Sequence, residues 1–130
     1  NIAFPLNIIH NPPQEEIPDH YRNADIFLFT SIYEGFGLPP LEAMASGLPT
    51  VCTDCGGVNM YIKSGYNALL VDAGNAWSIA DALAFLLENE NARKVLSENA
   101  RKTALEFSMN NSISVLEEVL YRIKRNNGKM

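Results

Sequence analysis

Short apolar runs alternate with segments of helical spacing through the first half of the chain, and helical spacing alone governs the second half. Such an order is that of parallel strands joined by crossover helices. Strands are predicted at Leu6–His10, Ile26–Thr30, Thr50–Cys52 and Ala68–Val71. The run IFLFT at Ile26–Thr30 is apolar at nearly every position, as expected of a strand covered on both faces. Asn11, Pro12 and Pro13 end the first strand, and a helix follows from about Glu15 to Asn23. A second helix starts at Pro39 or Pro40, carries Leu41, Ala43, Met44 and Ala45, and has Gly47 for its C-cap. Gly56 and Gly57 then turn the chain into a short helix that ends near Gly65.

Three longer helices complete the pattern. Asn75 caps one whose stripe is Ile79, Ala80, Leu83, Leu86 and Leu87; Leu96, Ala100, Thr103 and Phe107 form the stripe of the next. Ser108 opens the last, with Ile113, Leu116, Leu120 and Ile123 on one face, and residues 126–130 read as a frayed end. The shift near residue 75 from turns to charged helices marks a change of layer within one domain. The fold class is therefore α/β, a Rossmann-like parallel sheet with flanking helices.

At 130 residues, with 47% hydrophobic and 19% charged side chains, the chain has the composition of a soluble domain. It is small for an enzyme that must enclose two substrates, so a further domain is expected. It carries neither a long apolar run nor a secretory leader, and the expected location is cytoplasmic. The net charge of −5 argues against nucleic acid or an anionic membrane as principal partner. Arg22 is the sole Lys or Arg before Lys63, so the first half of the chain can supply little positive charge. Cys52 and Cys55 have the spacing of half a zinc site or a redox pair, but a second ligand pair is absent; two small apolar residues at a strand end is the simpler reading. His10 and His20 lack a nearby partner for a metal, and Trp77 is read as a packing residue.

The chemistry concentrates in SIYEGFGLPPLEAMASG, Ser31–Gly47, which leaves a buried strand and opens a helix. Ligands bind there in open α/β sheets. Gly35 and Gly37 let successive N–H groups turn toward an anion or a hydroxyl, and the helix start adds partial positive charge. Pro39 and Pro40 have no N–H, which leaves Gly35 to Leu38, and Leu41, as donors. Glu34 and Glu42 stand on either side of this loop. Carboxylates accept hydrogen bonds and repel phosphate, so the combination suits a ligand carrying a diphosphate together with vicinal hydroxyls. A nucleotide sugar is such a ligand. The same residues also fit plainer roles: Glu42 complementing the helix dipole, Glu34 solvated, and the glycines forming a tight turn.

The stretch EGFGLPPLEAMASGLPTV resembles the E-x7-E region of retaining GT-B glycosyltransferases of the mannosyltransferase-like and sucrose-synthase-like family, the glycosyl transferases group 1. The likeness runs from about Asn7 to Tyr121 and takes in Tyr21–Asp25, Gly56–Gly57 and Gly65–Asn67. It implies a C-terminal donor-binding domain that lacks its first strands, working with an N-terminal domain. Glu34 would be the catalytic residue and accept hydroxyls of the donor sugar, which Gly35, Phe36 and Gly37 would contact through their backbone. Leu38 N–H would hold the diphosphate, Glu42 the ribose, and Asn11 to Ile17 would lie against the base. The donor would be a UDP-, GDP- or dTDP-sugar and the acceptor a carbohydrate or lipid-linked molecule, with no metal and no other cofactor. The resemblance also implies polysaccharide biosynthesis, at the inner face of the membrane if the full-length protein docks there.

Departures from the family pattern carry expectations of their own. An Arg and a Lys that clamp the diphosphate arise in the family from a unit preceding this sequence. Two family strands that would lie between Leu6–His10 and Ile26–Thr30 are also missing, which leaves a gap open to self-association. Met60 stands where the family usually has Glu and Met109 where Trp is common; both are read as structural. A non-catalytic nucleotide-sugar-binding piece and a sugar-nucleotide epimerase of the same fold are the alternative functions.

Overall fold

The computed structural model describes residues 8–127. Three strands, β1 (Phe27–Phe29), β2 (Thr50–Thr53) and β3 (Leu69–Val71), form one parallel sheet in that order. Leu28 stands opposite Val51, and Cys52 opposite Leu70. The helices are α1 (Ile17–Arg22), α2 (Leu38–Ala45), α3 (Ala76–Glu88), α4 (Glu90–Glu106) and α5 (Met109–Asn127), with a 3-10 turn at Gly57–Met60; α2, α3 and α4 pack on the sheet.

Central β2 is buried at every residue because it has a strand on each side and helices on each face. Alternation along it feeds two cores. Cys52 points into a cluster with Met44, Cys55, Val58, Tyr61, Ala100 and Ala104, built where α2 packs beside α4. Val51 points the other way, toward Leu86 and Leu96, where α3 covers β2 and β3. At the sheet's edge β1 has a single neighbour among the described residues, and Leu28 is left 39% exposed.

Several expectations change. The strand expected at Leu6–His10 lies partly outside the described residues, and Ile8, Ile9 and His10 form no strand. They are exposed and pair with none of the described strands, although the edge of β1 is open. Helix α2 starts at Leu38, one residue earlier than expected, because Gly37 takes the N-cap at φ +82°. Pro39 and Pro40 then occupy the first turn, where a missing N–H costs nothing. In α3 the inward residues are Ile79, Ala82, Leu83 and Leu86, whereas Ala80 and Leu87 face out, since the helix covers only a narrow patch over β2 and β3. Trp77 is 82% exposed, and Met60 and Met109 are exposed too, so none of the three packs in the core. The stripe Ile113, Leu116, Leu120 and Ile123 on α5 is present but half exposed. No helix of the described residues is long and apolar enough to cross a membrane.

Helix caps follow the sequence closely. Asn75 accepts from Trp77 N and Ser78 N, and Asn89, which opens α4, accepts from Ala92 N. Fully buried Asn67 ties three elements together. Its amide donates to Tyr61 O at 2.8 Å and to Thr103 Oγ1 at 3.0 Å, and its oxygen accepts from Lys63 N at 2.8 Å. Asn67→Ala strands these groups in a dry interior and is expected to cost about 2 kcal/mol, measurable as a lowered denaturation midpoint. An unchanged midpoint would mean that water replaces the amide.

Candidate functional site

The loop that leaves β1 is fastened at each end before it reaches α2. Thr53 Oγ1 donates to Ser31 O at 2.5 Å, holding the start of the loop against β2. Glu34 then forms a bridge to the turn after β2: its N–H donates to Cys55 O and its carbonyl accepts from Gly57 N, each at 2.9 Å. Gly57 sits so close that a Cβ there would lie 2.3 Å from the Gly35 carbonyl carbon. A side chain at Gly37 would fall 2.9 Å from Val58 Cγ1, and the Tyr61 hydroxyl donates to the Gly37 carbonyl. The Phe36 ring turns inward against Tyr61 and Phe107, at centroid distances of 5.4 and 6.2 Å. With that side chain committed to the core, the loop presents exposed Gly35 and the start of α2 to solvent.

No side chain caps α2. Its first-turn donors are those of Leu38 and Leu41, at the positive end of the helix dipole. Leu38 itself is 59% exposed.

The two glutamates occupy different surroundings. Glu34 is half-buried, close enough to Cys55 and Tyr61 to help push both groups up, after desolvation as the main cause. Glu42 is exposed and accepts a hydrogen bond from the Tyr21 hydroxyl at 3.0 Å. Burial, and then this carboxylate, push the Tyr21 phenol up to about 12. Glu42 lines two clefts and Glu34 borders neither. One, of about 320 Å³, lies between α2 and α4, with Leu38, Leu41, Arg101 and Phe107. The other, of about 220 Å³, lies between α1 and α2, with Gln14, Ile17 and Tyr21.

The family model of glycosyl transferases group 1 matches residues 6–103. The chain belongs to this family. D-inositol 3-phosphate glycosyltransferase of Corynebacterium urealyticum is 39% identical over 93% of this group 1 chain and 28% of its own length. The C-terminal domain of a group 1 family protein from Francisella tularensis superposes with a TM-score of 0.72, at 33% identity, over 78% of this chain and 53% of that one. TarM of S. aureus, solved as a variant with fondaparinux, α-GlcNAc-glycerol and UDP, superposes with a TM-score of 0.72, at 28% identity, over 82% of this chain and 21% of that one. The group 1 chain thus spans less than a third of the length of its curated relative.

Glu34, Gly35, Phe36, Gly37 and Leu38 are contiguous along the fastened loop, while Glu42 stands one helical turn further on, beside α1. Four residues that matter to this geometry escaped the sequence pattern as functional. Tyr21 holds Glu42, Gly57 lets the loop close on the turn after β2, Tyr61 holds Gly37, and Arg101 brings a cation into the cleft that Leu38 and Glu42 line. The repeated glycine at Gly56–Gly57 was the signal for one of them. The other three depend on how α1, the 3-10 turn and α4 pack on α2. Cys52 and Cys55 are both free and buried, and burial pushes the Cys52 thiol up to about 12, which keeps it un-ionised.

Proposed function

We propose that this domain is the donor-binding half of a glycosyltransferase. It holds a nucleotide sugar of the UDP, GDP or dTDP type and moves the sugar, with retention and without a metal, to a carbohydrate or lipid-linked acceptor. The observation that carries this reading is the fastened loop from Glu34 to Leu38, bridged to the turn after β2 and leading into an uncapped helix start, with Gly35 exposed and Glu42 one helical turn further on. Glu34 accepts hydroxyls of the sugar, Gly35 to Gly37 contact it through their backbone, Leu38 N–H holds the diphosphate, and Glu42 binds the ribose. UDP in the solved TarM supports a nucleoside diphosphate as the ligand class. Cationic groups must stabilise the departing diphosphate. Arg101 is one that the structure brings near Leu38, and an Arg and a Lys from the remainder of the protein are the others in this reading. Acceptor contacts would likewise come from outside this chain, in a cytoplasmic enzyme of polysaccharide synthesis.

The test is calorimetry of the full-length protein against UDP-, GDP- and dTDP-sugars, with Glu42→Ala as the variant. Losing a charge-assisted hydrogen bond to ribose is expected to weaken the preferred donor about 10-fold or more. Equal affinity of variant and parent for every donor would remove Glu42 from the site.

A further inference from the structure

We infer that Tyr21 is a positioning residue for Glu42, fixing the carboxylate so that one of its oxygens is reserved for a single ribose hydroxyl. This rests on the reading of Glu42 as the ribose acceptor. A glutamate side chain on an exposed helical turn otherwise samples several rotamers, and ordering it takes free energy from binding. Here the ordering is done in advance. Tyr21 comes from α1, Glu42 from α2, and the hydroxyl donates to Oε2 at 3.0 Å. The ring that carries the hydroxyl is itself held, edge-on against Phe27 of β1 at 5.7 Å and 63°. Thus α1 and α2 meet at one carboxylate oxygen, with β1 bracing the ring; the hydroxyl's other acceptor, Pro39 O, is further away at 3.5 Å.

The consequence for ligand recognition is an asymmetry. An ionised carboxylate accepts through two oxygens. With Oε2 engaged by Tyr21, Oε1 is the freer acceptor and its direction is fixed. A vicinal diol meeting this carboxylate places one hydroxyl on Oε1 and leaves the other to a weaker contact. The phenol, held well above its ordinary range, stays protonated at every pH near neutrality, so it is a constant donor. Its position within the cleft that Glu42 shares with Gln14 and Ile17 puts the arrangement beside open space.

The experiment compares UDP and GDP with their 2′-deoxy and 3′-deoxy analogues, by calorimetry on the full-length protein, Tyr21→Phe and Glu42→Ala. The parent is expected to prefer one ribo-nucleotide over one of its deoxy analogues by about 10-fold, the worth of a charge-assisted bond. In Tyr21→Phe, which keeps the ring against Phe27, that preference should shrink to about threefold or less while the deoxy analogue binds as before. In Glu42→Ala it should vanish. Preference retained in Glu42→Ala sinks the ribose reading itself. Preference lost in Glu42→Ala but kept in Tyr21→Phe sinks the role of Tyr21 alone. Equal weakening of all ligands in Tyr21→Phe would make the tyrosine a structural tie and overturn the inference.

Discussion

Replacing Gly57 with alanine is expected to break the loop from Glu34 to Leu38 away from the turn after β2. The added Cβ would lie 2.3 Å from the Gly35 carbonyl carbon, 2.4 Å from its oxygen and 2.5 Å from Phe36 N. All three are backbone atoms, so no rotamer change relieves the overlap. Nor can the loop drift outward freely, because the Glu34 bridge to Cys55 O and Gly57 N pins the same place. Overpacking that must be relieved by backbone motion is expected to cost roughly 3 kcal/mol. Thermal unfolding should then fall by roughly 10 °C. A loop displaced by about 1 Å should also weaken donor binding or turnover by roughly 100-fold. Gly35→Ala is the control for stability, since a Cβ there meets nothing within 4 Å. Its melting temperature should match the parent. If Gly57→Ala melts and binds donor like the parent, the seam between the loop and the turn after β2 does not hold the site.

The same seam shows where sequence reading ends. Periodicity sufficed for β1, β2 and β3, for the caps at Asn75 and Ser108, and for the buried face of α4 through Leu96, Ala100 and Thr103. These are local signals, each written within a few residues. Glycines at Gly56 and Gly57 announced a turn, but the partner of that turn, Gly35, lies more than twenty residues earlier and only the parallel pairing of β1 with β2 brings it there. Tyr21 and Glu42 meet for the same reason: α1 and α2 flank one strand, and nothing in either helix alone points to the other. The stripe on α5 failed in the opposite sense. Spacing gives a helix an apolar face, yet it says nothing of whether a surface exists to cover it, and here Leu116 and Leu120 stay more than half exposed. The missing strand at Ile8–His10 shows the same limit, since an apolar run does not by itself say whether the segment pairs, even with the edge of β1 open.

Glu34→Ala is expected to lower turnover about 100-fold while leaving the fold intact. Both bonds that fasten Glu34 come from its main chain, to Cys55 O and from Gly57 N, and alanine keeps them. Its side chain is half-buried, and its loss opens no sealed cavity, so the melting temperature should move by about 2 °C or less. In the proposed reading, what disappears is a negative charge beside a sugar that becomes electron-poor as the diphosphate departs. Interactions that strengthen in the transition state are lost from kcat, whereas those made equally in the ground state are lost from KM. A carboxylate gripping sugar hydroxyls at the reacting ring belongs mainly to the first kind. Steady-state kinetics of the full-length protein should therefore show the fall chiefly in kcat. Glu34→Gln, which retains one acceptor oxygen but no charge, should land between alanine and the parent. Turnover within twofold of the parent in Glu34→Ala would place the sugar elsewhere. A loss confined to KM would leave Glu34 as a binding group and hand the catalytic role to the diphosphate's cationic partners.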